Sequence, residues 1–289
     1  MNRKDFISLS ALGFLGLYSC GSSVLMKPRK NLGIQLYTIR DAVSENVEKA
    51  LEKLAEMGFK NLEIYGYNGS FFGKTKNEFS QILKNTGLKV ISSHHTSGFL
   101  DKGKGTLQNQ WEKSVEDLHF LGTEYMVCSY LFPEERTTEI YKKLPDLLQK
   151  SALITKNSGI QMAYHNHDFE FDEFENGESF YDFLLKNTTP DLVKMELDLY
   201  WISKVGKNPV DYFEKYPGRF PLWHVKDLEA KTQNFTEIGN GIIDFETIFA
   251  AKEKAGLKHW FLEQDESKND IFESIKTSRD FVLKKNYFW

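Results

Sequence analysis

The nine residues Ala163-Tyr-His-Asn-His-Asp-Phe-Glu-Phe171 decide how this chain is read. An apolar lead-in at 160–164 predicts a strand. Side chains alternate along a strand, so His165 and His167, two positions apart, point the same way at its end. Two imidazoles on one face suit a metal ligand beside an acid or base. Alone, the pair is more simply two hydrogen-bonded loop histidines. What tips the balance is that the next three predicted strands each end in a polar residue of metal-ligand type.

Working outward, apolar runs predict strands at 32–38, 61–65, 89–94, 124–129, 160–165, 193–198, 220–226 and 259–264, with starts 27 to 39 residues apart. Each gap holds one helix-length pattern, as at 45–57, 107–121, 138–157 and 245–255. Several helices stop at glycine: Gly58, Gly87, Gly122, Gly159 and Gly256. Eight βα units in roughly 260 residues have the rhythm of an α/β fold of the (β/α)8 TIM-barrel type. A doubly wound open sheet would want a glycine-rich phosphate loop after an early strand. Arg40-Asp41-Ala42 follows the first strand instead, and Gly239-Asn-Gly241 comes late and reads as a turn.

Residues 1–19 read as a lipoprotein signal peptide: basic Arg3-Lys4, an apolar run at 6–17, then Leu17-Tyr-Ser-Cys20, which resembles a lipobox. Residues 20–31 read as a tether, and 32–289 as a single barrel domain. The expectation is an exported protein, periplasmic or outer-membrane-associated, touching the membrane only through a lipid on Cys20. Loss of Arg3, Lys4 and Asp5 leaves 35 basic and 40 acidic residues, a net charge of −5. That mildly acidic balance gives no electrostatic footprint for nucleic acid and no polybasic patch for lipid. With Cys20 acylated, Cys128 is the remaining cysteine, so no intrachain disulfide is expected.

In such a barrel the site lies at the C-terminal ends of the strands. The first strand offers Gln35 and Tyr37 there, the second Glu63, and the third His94 or His95, between which parity does not choose. The fifth offers His165 and His167, the sixth Glu196 and Asp198, the seventh His224 and Lys226 with Asp227 on the other face, and the eighth Glu263 and Asp265. Unpaired buried charge is expensive, so this density of ionisable groups calls for a reason. His165, Asp198, His224 and Glu263, one per consecutive strand, suit a divalent cation. Mixed nitrogen and oxygen donors fit Mn, Zn, Co or Fe better than Ca.

The sequence resembles the xylose-isomerase-like TIM barrels known broadly as sugar phosphate isomerases/epimerases, and more closely an exported branch from Bacteroidetes-type bacteria. The motifs are Gly33-Ile-Gln-Leu-Tyr-Thr-Ile-Arg-Asp41, Leu62-Glu-Ile-Tyr-Gly66, Tyr164–Phe171, Leu197-Asp-Leu-Tyr-Trp201, Tyr216-Pro-Gly-Arg219, His224-Val-Lys-Asp227 and Gly239-Asn-Gly241. The resemblance implies metal ligands at the ends of the fifth to eighth strands, again His165, Asp198, His224 and Glu263. His165 departs from the pattern, since many epimerases carry there a Glu that also serves as base. The resemblance also implies a shared chemistry: a metal chelates a carbonyl or enolate oxygen and a neighbouring hydroxyl, and a side chain removes the proton alpha to the carbonyl.

On that reading the catalytic candidates are His167, Glu63 and one of His94 and His95 as bases, with Lys226 steadying negative charge. Gln35, Tyr37, Arg40, His95, Trp201 and Arg219 are candidates for binding a small carbohydrate, Arg40 and Arg219 being the cations placed to meet a phosphate or carboxylate. The leading expectation is a sugar isomerase or epimerase, with a lyase or hydratase acting on 3-keto sugars or glycosides as alternative. A non-catalytic carbohydrate-binding lipoprotein and a repair endonuclease of the same superfamily are the competing classes.

Overall fold

Eight short parallel strands form a closed barrel in the computed structural model, which describes residues 31–288. They are β1 (Gly33–Gln35), β2 (Asn61–Ile64), β3 (Lys89–Thr96), β4 (Tyr125–Tyr130), β5 (Gln161–His165), β6 (Val193–Asp198), β7 (Leu222–Val225) and β8 (His259–Leu262). Neighbours in space are neighbours in sequence, and β8 closes on β1 through Gly33 opposite Phe261 and Ile34 opposite Leu262. This is the TIM barrel that the strand spacing predicts. The expected leader, Cys20 and most of the tether lie outside the described residues.

The helices follow their sequence signals with local exceptions. Helix α1 (Arg40–Glu56) starts earlier than the periodicity suggests, and the reason is Asn46. Its backbone is extended, and its side chain accepts from Lys49 N, so it caps a second start inside the helix. Helix α2 (Lys76–Thr86) opens on a Thr75–Glu78 capping box. Helices α2 and α3 (Trp111–Leu121) both end on a left-handed glycine, Gly87 and Gly122. Helix α4 (Thr138–Asn157) has the expected bounds, and the expected helix over 245–255 is two pieces, Phe245–Ala250 and Lys252–Ala255.

Strand interiors change character from bottom to top, and this sets the site. Ile91, Val127, Ala163, Leu222 and Phe261 form a separate apolar cluster that plugs the barrel floor. Above this floor come Glu63 on β2, His94 on β3, Glu196 on β6 and His224 on β7, His94 three positions past Ile91 and His224 two past Leu222. The apolar belt outside, including Trp223 stacked on Phe213, packs strands against helices.

Candidate active site

Two layers of ionisable side chains sit on the apolar floor. In the lower layer His94 Nε2 lies 2.7 Å from Glu196 Oε2 and 3.1 Å from Glu63 Oε2. His224 Nε2 lies 2.5 Å from Glu63 Oε2, which also accepts from Gln35 Nε2 at 2.8 Å. In the upper layer His165, Asp198, His224 and Glu263 bring donor atoms within 4.8 Å of one another. His224 belongs to both layers, Nε2 facing down and its Nδ1 lying 2.6 Å from Glu263 Oε2 above. The lower group, Glu63, His94, Glu196 and His224, also has donor spacing that could hold a metal.

The backbone aims these groups. Asp198 ends β6 and caps the helix Leu199–Lys204, accepting at Oδ1 from Tyr200 N and Trp201 N. Its other oxygen is thereby turned to the barrel axis, 3.3 Å from His165 Nε2 and 3.1 Å from Lys226 Nζ. Lys226 also meets Glu263 at 2.7 Å and Asp265 at 3.0 Å. Asp227, on the opposite face as alternation requires, is buried and takes four backbone N–H groups, from Leu228, Gly239, Gly241 and Ile243. A side chain at Gly241 would strike that carboxylate, which accounts for the glycine. Lys226 and Asp227 are therefore two buried neighbours with separate partners.

Burial and neighbours set the charges. Burial opposes the Glu63 carboxylate, but His94 and His224 outweigh it and hold its pKa well below the ordinary range. Burial also opposes the Asp198 anion, and Lys226 and His165 overcome it. Glu196, buried beside Glu63, is pushed up to about 7. Burial disfavours the His94 cation, yet Glu63 and Glu196 raise it to about 9. His165 goes the other way: burial and the adjacent His224 lower it to about 4, so its imidazole is neutral. Burial, His165 and Lys226 hold His167 well below its ordinary value. Lys226 keeps its proton because Asp198, Asp265 and Glu263 more than offset burial.

The upper donor set fits a divalent cation. His224 Nδ1 and Glu263 Oε2 approach within 2.6 Å and both are buried, Glu263 Oε2 also pairing with Lys226 Nζ at 2.7 Å. Donor atoms from four consecutive barrel strands that converge in one buried space have the arrangement of ligands around a common ion. A neutral His165 is the protonation state a ligand needs.

A cavity of about 860 Å³ opens above this layer. Its wall contains His94, His165, His167, Lys226 and Glu263 with Tyr37, Tyr65, Tyr130, Phe132, Phe169 and Trp201. His167 packs near-parallel to Phe169 and edge-on to Tyr130, its Nδ1 buried without a partner. Its backbone N–H is held by Glu170, which also accepts from Tyr164 OH.

Several expectations change. Of the two adjacent histidines, His94 enters the barrel; His95 reaches the cavity wall but spends Nδ1 on Gly105 O and packs edge-on to Trp111. Glu63 and Gln35 are fully buried in the lower layer, beneath the cavity wall. Tyr37 does not continue the strand face of Gln35, because the Gln35 side chain caps a 3-10 turn at Leu36–Ile39 and ends β1; Tyr37 is left half-exposed at the mouth. Arg40 ties two loops together through Tyr37 O and Asp265 O. Arg219 is buried before β7 begins, at the opposite end of the barrel, bonded to Leu185 O and Thr188 Oγ1, so it does not reach the cavity. Sequence reading missed Glu170, three residues past His167, and Arg136, whose loop carries no motif.

Fold and site together define a barrel with an ionisable, ligand-rich top. Residues 51–284 match the xylose isomerase-like TIM barrel family model, and the chain belongs to that family. It is 25% identical to inosose dehydratase from Clostridium beijerinckii, over 86% of this chain and 93% of that one. A sugar phosphate isomerase/epimerase from Parabacteroides distasonis superposes with a TM-score of 0.77 at 28% identity, covering 89% and 94% of the two chains. An IolI protein crystallised with a zinc atom shares the fold, with a TM-score of 0.69 at 16% identity over 88% and 97%.

Proposed function

We propose that this protein is a metal-dependent enzyme of the sugar isomerase/epimerase type, which removes a proton alpha to the carbonyl of a sugar or cyclic keto-polyol. One observation carries the reading: the donor atoms of His165, Asp198, His224 and Glu263 lie within 4.8 Å of one another beneath a large cavity. A bound Mn, Zn, Co or Fe ion would polarise the carbonyl and orient a neighbouring hydroxyl.

The chain's own residues supply the rest. His167 lines the cavity as a neutral imidazole, able to accept the proton. Lys226, protonated and held by three carboxylates, offers fixed positive charge where an enolate oxygen would develop. Tyr37 and Trp201 offer aromatic surface to the apolar side of a sugar ring and limit water. Glu63, fully buried under His224, positions that ring and does not act as base.

Elimination of water is the second reading. The inosose dehydratases similar to this chain are lyases by name, and His165 stands where a two-carboxylate epimerase would place a second base. Metal-loaded protein incubated in D2O with keto sugars and keto-inositols, followed by NMR, tests both readings. Deuterium entering at the carbon next to the carbonyl supports proton abstraction, and loss of water identifies elimination. No exchange with any turned-over compound rejects the scheme. Export and a lipid on Cys20 rest on the order of residues 3–21; native protein that retains Met1 in the cytoplasm would reject them.

A further inference from the structure

The cavity wall over β4 and β5 holds a cation that the chemistry above does not use. Arg136 follows β4 in a loop, half-buried, and lines the cavity. Its guanidinium lies 3.7 Å above the centre of the Phe169 ring. Nε donates to Leu131 O at 3.1 Å and Nη2 to Tyr130 OH at 2.8 Å. A guanidinium has five N–H groups, so three remain after these bonds. Among the described residues no carboxylate lies within 4.0 Å of it.

The acids nearby take their hydrogen bonds and ion pairs from other groups, and Glu170 feels Arg136 only through its charge. Asp168 pairs with Lys204 at 3.0 Å. Glu135 accepts from Ser97 Oγ, Leu100 N and Phe132 N, and Glu170 from Tyr164 OH and His167 N. Asp101, across the cavity wall, is turned to Thr96 and Gly103 N. A planar fork fixed by two neutral acceptors and a ring face, with its remaining donors free, is pre-organised for an oxyanion. Phe169 is also the ring on which His167 packs, 5.7 Å between centroids. Arg136 and the proposed base therefore pack on one aromatic ring in the wall of the same cavity.

We propose that Arg136 forms an anion subsite, so that the carbohydrate handled here carries a carboxylate or phosphate group beside the sugar unit that reacts. Arg136 takes the role that the sequence suggested for Arg40 and Arg219, both of which the fold spends on structure. The inference rests on the cavity being the substrate site, but its test needs neither metal nor turnover.

The full chain, labelled with ¹⁵N-arginine and used as purified, is titrated with D-glucuronate, D-glucose 6-phosphate and D-glucose. The Arg136 Nε–H resonance is followed, assigned by its loss in Arg136→Lys. A saturable millimolar shift is expected with one or both acids and none with glucose, the responding acid telling carboxylate from phosphate. Arg136→Lys, which keeps the charge but loses the fork, is expected to bind that acid about ten-fold more weakly by calorimetry. A shift that never saturates, equal responses to acid and neutral sugars, or undiminished binding by Arg136→Lys overturns the subsite. The deuterium-exchange reading would stand in each of those cases, just as a failed exchange would leave a measured anion site in place.

Discussion

His224 bonds Glu63 through Nε2 at 2.5 Å and turns Nδ1 to Glu263 at 2.6 Å, so one imidazole joins the two layers of the site. A carboxylate on one ring nitrogen fixes which nitrogen is free for a ligand bond and raises its basicity. Glu63→Gln is expected to weaken divalent-metal affinity about 10–100-fold with the fold retained. Competition against a chelating dye measures it, and unchanged affinity would remove Glu63 from the metal's support.

Asp198 has two jobs that substitution separates. Asparagine still caps the helix Leu199–Lys204 through Oδ1 but brings no charge, so Asp198→Asn should lose most bound metal and keep the cap. Asp198→Ala should lose the metal and, with the cap, about 0.5–2 kcal/mol more stability. Trp223→Phe, outside the barrel against Phe213, should keep its metal. Metal analysis and thermal melts on the three proteins decide the matter; equal metal content throughout would contradict the ligand assignment.

Loss of the His167 imidazole should lower kcat by about 10²–10⁴ at unchanged metal content, the range for a general base. Near-full activity in His167→Ala would take it out of the mechanism.

Glu170 gives a pH signature. Burial raises its carboxyl to about 8, against an ordinary value near 4.5, despite bonds from Tyr164 and His167 N. The folded state thus holds a proton that the unfolded chain releases, and its stabilising effect is complete below about 4.5 and fades as pH rises to about 8. Glu170→Gln should flatten that slope in urea melts between those limits. An unaltered slope would show that Glu170 is ionised in the folded protein.

Much of this architecture is local in origin, and so was legible in the chain. Strand spacing, helix-stopping Gly87 and Gly122 and the two-residue alternation of His165 with His167 or His224 with Lys226 depend only on backbone periodicity. That is why the barrel and the four strand-end donors could be read without coordinates. His94 and His95 differ by one position, and only the barrel's curvature and the covering loop decide that the first faces Glu196 and the second Gly105 O. Arg40, Arg136 and Arg219 are chemically alike, and what separates them is which end of the barrel and which carbonyls each meets. Sequence alone determined which side chains could do chemistry. Tertiary structure decided which are buried together, because the energy of a charge depends on its distant neighbours and on the water that the fold removes.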